Sequence, residues 1–229
     1  MQRVDDLRDV RGLRRLADEA LDAEFQGETF ADLRSLGYIA VVVMCTVAAF
    51  GLYATTVTTL ASRRQTLFLK RLRSTLAADA GILAGLVLPV TVLALIQVTA
   101  ILAVLAAVAG EPGNVLLLAA AVLSTVIMML GLGLATAGLT NSPEHAQVTT
   151  LPVSLGAMAV TNWVAITGTE ELTLLKRLLP GGSATELVLN AWNGGVPVAE
   201  SLPLLLPTLG WVILSVALAS RLFRWEPRR

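Results

Sequence analysis

The fold of this chain is decided by one stretch near its middle, Val115-Leu116-Leu117-Leu118-Ala119-Ala120-Ala121-Val122-Leu123. Its side chains are apolar without a break, and no alternation with polar residues is present. A strand of a membrane barrel alternates over about 10 residues, whereas a helix in lipid satisfies its own backbone and can be apolar on every side. The stretch therefore predicts a membrane-spanning helix.

Four further blocks share this character. A bilayer core about 30 Å thick requires about 20 apolar residues in a helix. Of the 229 residues, 55% are hydrophobic and 15% are charged, against roughly 25% charged in a soluble domain; mean hydropathy is +0.72. We predict an all-α fold, a polytopic membrane bundle of about five transmembrane helices, and exclude a cytosolic globular domain. The predicted blocks are 37–61, 80–109, 115–140, 147–167 and 203–223.

Residues 1–36 form a separate amphipathic N-terminal segment, predicted to be a helix followed by a short linker. Nine acids and six arginines precede Leu36. Three interpretations stay open: a solvated helix packed on the bundle, a helix in the membrane interface, and a disordered tail. We expect no cleaved signal peptide. The apolar residues recur every three or four positions, at Val4, Leu7, Val10, Leu13, Leu16, Ala17, Ala20 and Leu21.

A basic segment, residues 62–75, follows the first block and holds five bases and no acid. If the segment is helical, Arg63, Lys70 and Arg71 share one face. Leu67, Phe68 and Leu72 form an apolar face beside it. Such a surface suits docking into a groove of a soluble partner; the alternative is a stop-transfer anchor attracted to anionic lipid. The candidate docking residues are Arg63, Arg64, Leu67, Phe68, Lys70, Arg71 and Arg73.

Residues 168–202 are too long for a turn and too polar to span. Two apolar stripes, one from Leu172 to Leu179 and one from Ala184 to Trp192, flank the breaker Pro180-Gly181-Gly182. We predict an outer hairpin of two short amphipathic helices, with cysteines at Thr173 and Thr185 accessible from outside. The polar side chains Glu170, Glu171 and Glu186 are predicted to be solvated.

Other breaks are short. Pro89 is predicted to kink the second span or mark a joint, and residues 111–114 to form a tight turn. Asn141 or Ser142 is expected to cap the fourth span. Asp79 stands at the start of the second span, where its negative charge is expected to interact favourably with the helix dipole.

Small and polar residues within the spans are predicted to mediate close helix packing, with a substrate path as the alternative. Asn162 and Trp163 are predicted to be interfacial anchors. The residues predicted to pack are Thr55, Thr56, Thr58, Thr59, Gly131, Gly133, Ala135 and Gly138.

No set of residues predicts catalysis or metal binding. Cys45 is the single cysteine and His145 the single histidine. A lone histidine in a turn is expected to be structural, with a proton or metal pair of His145 and Glu144 as the alternative. A Ser/His/Asp set cannot be assembled. We therefore predict no catalytic, cofactor-binding or metal-binding residues.

Lys and Arg counts set the expected orientation. The 62–76 loop and the C-terminal tail from Arg221 carry nine bases (five and four), and the opposite loops carry two, Lys176 and Arg177. The positive-inside rule places the first group and the C-terminus in the cytoplasm. Strict alternation then places the N-terminal tail outside, against its six arginines.

The basic segment resembles that of the permease subunits of ABC-2-type ATP-driven exporters. There an Arg-rich stretch precedes a Gly-Thr-Leu-like step and a Lys-Arg-Leu-Arg run; here Gln65-Thr66-Leu67 and Lys70-Arg71-Leu72-Arg73 stand in that order. The chain departs at Leu76, where proline is frequent, and at Phe68-Leu69 before the lysine. Residues 179–194 are similar to the family's outer hairpin. The resemblance covers residues 37–229, a transmembrane domain.

The resemblance implies a bacterial inner-membrane permease subunit that moves its substrate outward. The implied partners are an ABC ATPase subunit, a second permease copy or a homologous permease, and membrane lipids, with no nucleic acid. The basic segment would couple ATP hydrolysis to the helices. Since the chain lacks the G-x-x-x-x-G-K-[ST] phosphate loop, ATP and Mg would be bound by the partner, and the chain would be no enzyme by itself. The alternative is a non-transporting membrane scaffold or assembly subunit. Composition does not select among drug, lipid, peptide and polysaccharide substrates.

The family usually has six helices, and its basic loop follows the second. Here that loop follows the first block, so we expect the first family helix to be missing. Either the tail replaces it, or the true start lies upstream. Nothing in 1–36 is apolar enough to span, because charges cost about 2.5–3.5 kcal/mol each at a helix centre.

Overall fold

The computed structural model describes residues 36–66, 68, 71, 78–140 and 142–222, with only the backbone given for Ala80 and Ala109. In this part of the chain all regular structure is helical. Five of the helices, α1, α2, α3, α4 and α7, are long and apolar enough to cross a membrane, which confirms the predicted polytopic bundle. The predicted N-terminal amphipathic helix lies outside the described residues. The helices are α1 Leu36–Gln65, α2 Asp79–Ala109, α3 Val115–Leu139, α4 Pro143–Thr167, α5 Thr173–Leu178, α6 Gly182–Asn193 and α7 Val198–Leu222.

Two side-chain caps start the central helices. The Asn114 side chain accepts a hydrogen bond from the Leu117 backbone N–H at 2.9 Å at the start of α3. The Ser142 hydroxyl accepts from the His145 N–H at 3.4 Å and Pro143 follows at the first helical position, so Ser142 caps α4 as predicted. Each cap satisfies one backbone donor that the first helical turn leaves without a partner.

Pro89 does not divide α2. The helix runs unbroken from Asp79 to Ala109, so Pro89 does not mark a joint between two helices, and the kink stays a prediction. A proline removes one backbone donor and crowds the carbonyl four residues earlier, which here belongs to Gly85.

Helix α3 lies at the centre of the bundle and contacts α1, α6 and α7. Its glycines allow the close approach: a methyl group at Gly131 would overlap the Ser215 hydroxyl of α7, and one at Gly133 would lie 3.2 Å from the Thr56 Cβ of α1. Within lipid, helices associate through such van der Waals contacts between small residues. The prediction that these residues serve helix packing is confirmed for Gly131, Gly133 and Thr56.

The middle of α1 is a π-helical segment, Val47–Tyr53. The Ser154 hydroxyl of α4 donates to the Ala49 carbonyl within it at 3.0 Å. In a regular α-helix, the Ala49 carbonyl would accept the backbone N–H four residues later. The contact with α4 therefore coincides with the local change of hydrogen-bond pattern. The π segment therefore lies where α1 and α4 touch.

The two ends of the bundle differ. At one end, called the hairpin end, the N–H groups of Gly113 and Asn114 donate to the carbonyls of Trp192 and Ala191 at 3.1 and 2.8 Å, and Tyr38 Oη donates to Asn162 Oδ1 at 2.8 Å. The opposite end, called the basic end, carries the last turn of α1 with Arg63 and Arg64. The loop between α2 and α3 thus packs directly on α6.

The hairpin consists of α5 and α6 on either side of Pro180-Gly181-Gly182. Gly181 has φ +94°, a left-handed conformation that favours glycine, and a methyl group at Gly182 would overlap the Lys176 carbonyl. The stripe from Ala184 to Trp192 is buried against the bundle, whereas Leu172, Leu175 and Leu178 are exposed. Thr185 is only 1% exposed, so its predicted accessibility is wrong: it faces α4, where Thr161 lies.

Candidate functional site

A polar groove of about 650 Å³ lies between α1 and α4 toward the basic end. Its α1 residues stand three or four positions apart and so share one helical face. Thr58 Oγ1 donates to the Ala54 carbonyl at 2.9 Å, and Thr150 Oγ1 donates to the Ala146 carbonyl at 2.7 Å. These hydroxyl oxygens keep acceptor capacity for a further partner. The polar lining consists of Thr55, Thr58, Thr59 and Ser62 from α1 with Gln147 and Thr150 from α4.

Arg63 completes the lining of the polar groove at its basic end. Its guanidinium lies 5.0 Å from the centroid of the Phe68 ring, within cation–π range. The predicted threonine cluster therefore divides: Thr56 is buried in the helix packing, and Thr55, Thr58 and Thr59 line the polar groove. Thr56 and Thr59 also stand three positions apart, so the spacing alone does not separate the two groups.

The candidate docking residues are not equivalent. Arg63, Phe68 and Arg71 are exposed, while Arg64 is 2% exposed and lies in the bundle interior. Successive helical residues are turned by about 100°, so neighbouring arginines on α1 face different surroundings. The other three candidates, Leu67, Lys70 and Arg73, lie outside the described residues.

Charged and polar side chains form a hydrogen-bond network at the hairpin end. Arg177 binds Glu186 across the breaker, with Nε donating to Oε2 at 2.7 Å, and Thr169 Oγ1 donates to Oε1 at 3.0 Å. Glu186, predicted to be solvated, has a side chain only 14% exposed. The hydrogen bond to Glu186 raises the pKa of Arg177 above its usual value, so this guanidinium stays charged throughout the working pH range.

Lys176 joins α5 to the end of α4. It is 2% exposed, and Nζ donates to Thr167 Oγ1 at 2.8 Å and to the Gly168 carbonyl at 2.7 Å. Nζ also lies 5.2 Å from the Trp163 ring centroid. A cation at a helix C-terminus is favoured by the helix dipole. Trp163 therefore contributes to this junction, a role that composition alone did not predict.

A chain of interior hydrogen bonds connects three helices. Thr185 Oγ1 donates to Thr161 Oγ1 at 3.3 Å, and Thr161 Oγ1 donates to Cys45 Sγ at 3.3 Å. The hairpin is thus tied through α4 to α1. Within the described residues, no three His, Cys, Asp or Glu side chains form a group that could hold a metal ion.

The fold defines a class: the chain is a multi-pass helical membrane protein with a polar groove at one end. Comparison with protein-family models, with curated proteins and with solved structures gives no match for this chain.

Proposed function

We propose that this chain is the membrane-spanning permease subunit of an ATP-driven exporter, with ATP hydrolysed by a separate nucleotide-binding subunit. The polar groove between α1 and α4 carries the proposal, because it offers hydroxyl, carboxamide and guanidinium groups to a solute beside an apolar bundle. Polar groups at membrane depth are costly unless protein, water or a solute covers them. A substrate pathway through the bundle would account for such a groove.

The position of the polar groove supports the proposed coupling. Arg63 belongs both to its lining and to the basic segment that we assign to ATPase docking. A force applied to that segment would act on the last turn of α1, one wall of the groove. The adjoining π segment at the contact with Ser154 provides a place where α1 could change its hydrogen-bond pattern.

We further propose that the basic end faces the cytoplasm. The nine bases of this side, against two in the loops of the hairpin end, support this orientation through the positive-inside rule, and the six arginines before Leu36 count against it. A docking segment for a soluble ATPase must also lie on the side where ATP is present. A non-transporting scaffold would share the orientation but has no need for a hydroxyl-lined groove.

The test is charge reversal in the docking segment. Replacing Lys70, Arg71 and Arg73 with Glu should release the ATPase during purification or uncouple ATP hydrolysis from transport in vesicles. The matched control reverses Arg224, Arg228 and Arg229, three bases assigned to the same side of the membrane. The control should keep both properties, and full copurification with normal transport in the first variant would refute the proposal.

A further inference from the structure

A second groove, of about 550 Å³, lies between α2 and α3 at the hairpin end, away from the polar groove. We call it the apolar groove. Its volume falls within the range of about 300–1,000 Å³ typical of small-ligand sites, which are mostly apolar with a few polar groups. The residues that define it include Leu102, Ala103 and Ala106 of α2, Leu118 and Val122 of α3, and Trp192 of α6.

The described part of the chain leaves the side of the bundle that carries the apolar groove uncovered. Residues on and beside its walls are highly exposed, with Val108 at 83% and Val115 at 66%. Because α2 is long and apolar enough to cross a membrane, bilayer lipids can reach this concave surface. An acyl chain placed there gains contacts with the walls, since an unfilled gap forfeits dispersion attraction.

One acid stands among the apolar lining residues. Glu111 lies in the loop between α2 and α3, is exposed, and lines the apolar groove. Among the described residues, the only cations of the hairpin end are Lys176 and Arg177. Lys176 is bound to Thr167 and Gly168, and Arg177 is bound to Glu186. Within the part of the chain that the structure describes, neither cation is left to pair with the Glu111 carboxylate.

We propose that the apolar groove binds an amine-headed phospholipid, with one acyl chain between α2 and α3 and the ammonium group at Glu111. The length of α2 places Glu111 beyond the last apolar turn, at the level where lipid headgroups lie. The apolar walls alone would accept any acyl chain, and Glu111 supplies the preference for a cationic headgroup. This lipid site is independent of the proposed export function.

The experiment measures lipid retention. The purified full-length chain is incubated in detergent with equal amounts of phosphatidylethanolamine and phosphatidylglycerol that carry the same acyl chains, and native mass spectrometry counts the lipids retained. Because the carboxylate is exposed, we expect a roughly two- to fivefold preference for phosphatidylethanolamine. Glu111→Gln should abolish this preference, while Glu200→Gln, which removes another exposed acid of the hairpin end, should keep it.

A second pair of variants tests the acyl-chain site. Ala103→Trp fills the apolar groove and should reduce retention of both lipids, whereas Ala100→Trp, on the same helix but outside the lining, should not. Ala106→Leu makes a smaller change of the same kind, for use if Ala103→Trp does not fold. Equal retention of the two lipids by the wild-type chain, an unchanged preference in Glu111→Gln, or equal retention by the filled variants and Ala100→Trp would each overturn the proposal.

Discussion

The contact between Gly131 of α3 and Ser215 of α7 permits a paired substitution whose effect can be estimated. An alanine at Gly131 would place its methyl group on the Ser215 hydroxyl and 3.1 Å from the Ser215 Cβ. The hydroxyl would have to turn away from the Val212 carbonyl, to which it donates at 2.9 Å. The loss of that hydrogen bond costs about 1 kcal/mol, and the remaining overlap costs about another 1 kcal/mol.

Helix propensity acts in the opposite direction. Alanine is favoured over glycine in a helix interior by about 0.8 kcal/mol, so Gly131→Ala should destabilise the chain by about 1–2 kcal/mol. Removing the Ser215 side chain as well removes both close atoms, and the next one, the Ser215 carbonyl carbon, lies at an ordinary 3.9 Å. The pair Gly131→Ala with Ser215→Gly should therefore be more stable than Gly131→Ala alone, but below the wild-type chain, because the hydrogen bond to Val212 stays lost and a glycine enters α7.

The assay is thermal unfolding in detergent of the two single variants and the double variant. A loss of about 1–2 kcal/mol corresponds to a fall in Tm of about 2–8 °C for a chain of this size. Gly156→Ala is the matched control, because no atom lies within 4 Å of its new methyl group. If Gly131→Ala is as stable as Gly156→Ala, or if adding Ser215→Gly does not raise the Tm of Gly131→Ala, then the α3–α7 contact does not have the described geometry.

Three further outcomes follow from the hairpin. Gly182→Ala should destabilise by about 2–3 kcal/mol in the same assay, because its methyl group meets the Lys176 backbone carbonyl, whereas Gly210→Ala has open space inside α7 and should stabilise by up to about 0.8 kcal/mol. Glu186→Gln and Arg177→Gln should each cost less than about 1 kcal/mol, because Arg177 is 38% exposed; a double-mutant cycle that shows no coupling would contradict the ion pair. In a Cys45→Ser background, an impermeant thiol reagent added outside should label cysteine at Leu174, which is 78% exposed, and spare cysteine at Thr185, which is 1% exposed; labelling of Leu174→Cys only from the cytoplasmic side would reverse the proposed orientation.

Several features of the fold were predictable because they depend on local composition. The five spans, the Ser142 cap and the break between α5 and α6 lie where runs of apolar residues, a capping residue or a Pro-Gly-Gly sequence indicate them. Pro89, predicted to kink the second span or mark a joint, lies inside one unbroken helix. A proline disfavours a helix interior by about 3 kcal/mol in water, but in a span the backbone has no partners other than its own helix, so the apolar run forms a single long helix.

The candidate site was predictable only in part. The sequence indicates a threonine cluster near Arg63, but the division of Thr56 from Thr55, Thr58 and Thr59 requires the position of α4. The apolar groove is formed by α2, the loop at Glu111 and α3, which follow one another in the chain, together with Trp192 of α6, which only the fold brings to it. Likewise, Glu186 looked solvated because its partner, Arg177, is brought to it only by the fold of the hairpin.

By itself, the sequence determined that this protein is a bundle of helices in a membrane, since transfer of each segment into lipid depends on that segment's own side chains. Tertiary structure decided which faces meet: Gly131 against Ser215, Lys176 on the end of α4, Arg64 inside and Arg63 at the polar groove. Lipid and protein interior are equally apolar, so hydropathy cannot distinguish a face that packs on another helix from one that faces the bilayer. The faces that pack together are determined by the close approach that small residues allow and by the hydrogen bonds that polar side chains form between helices.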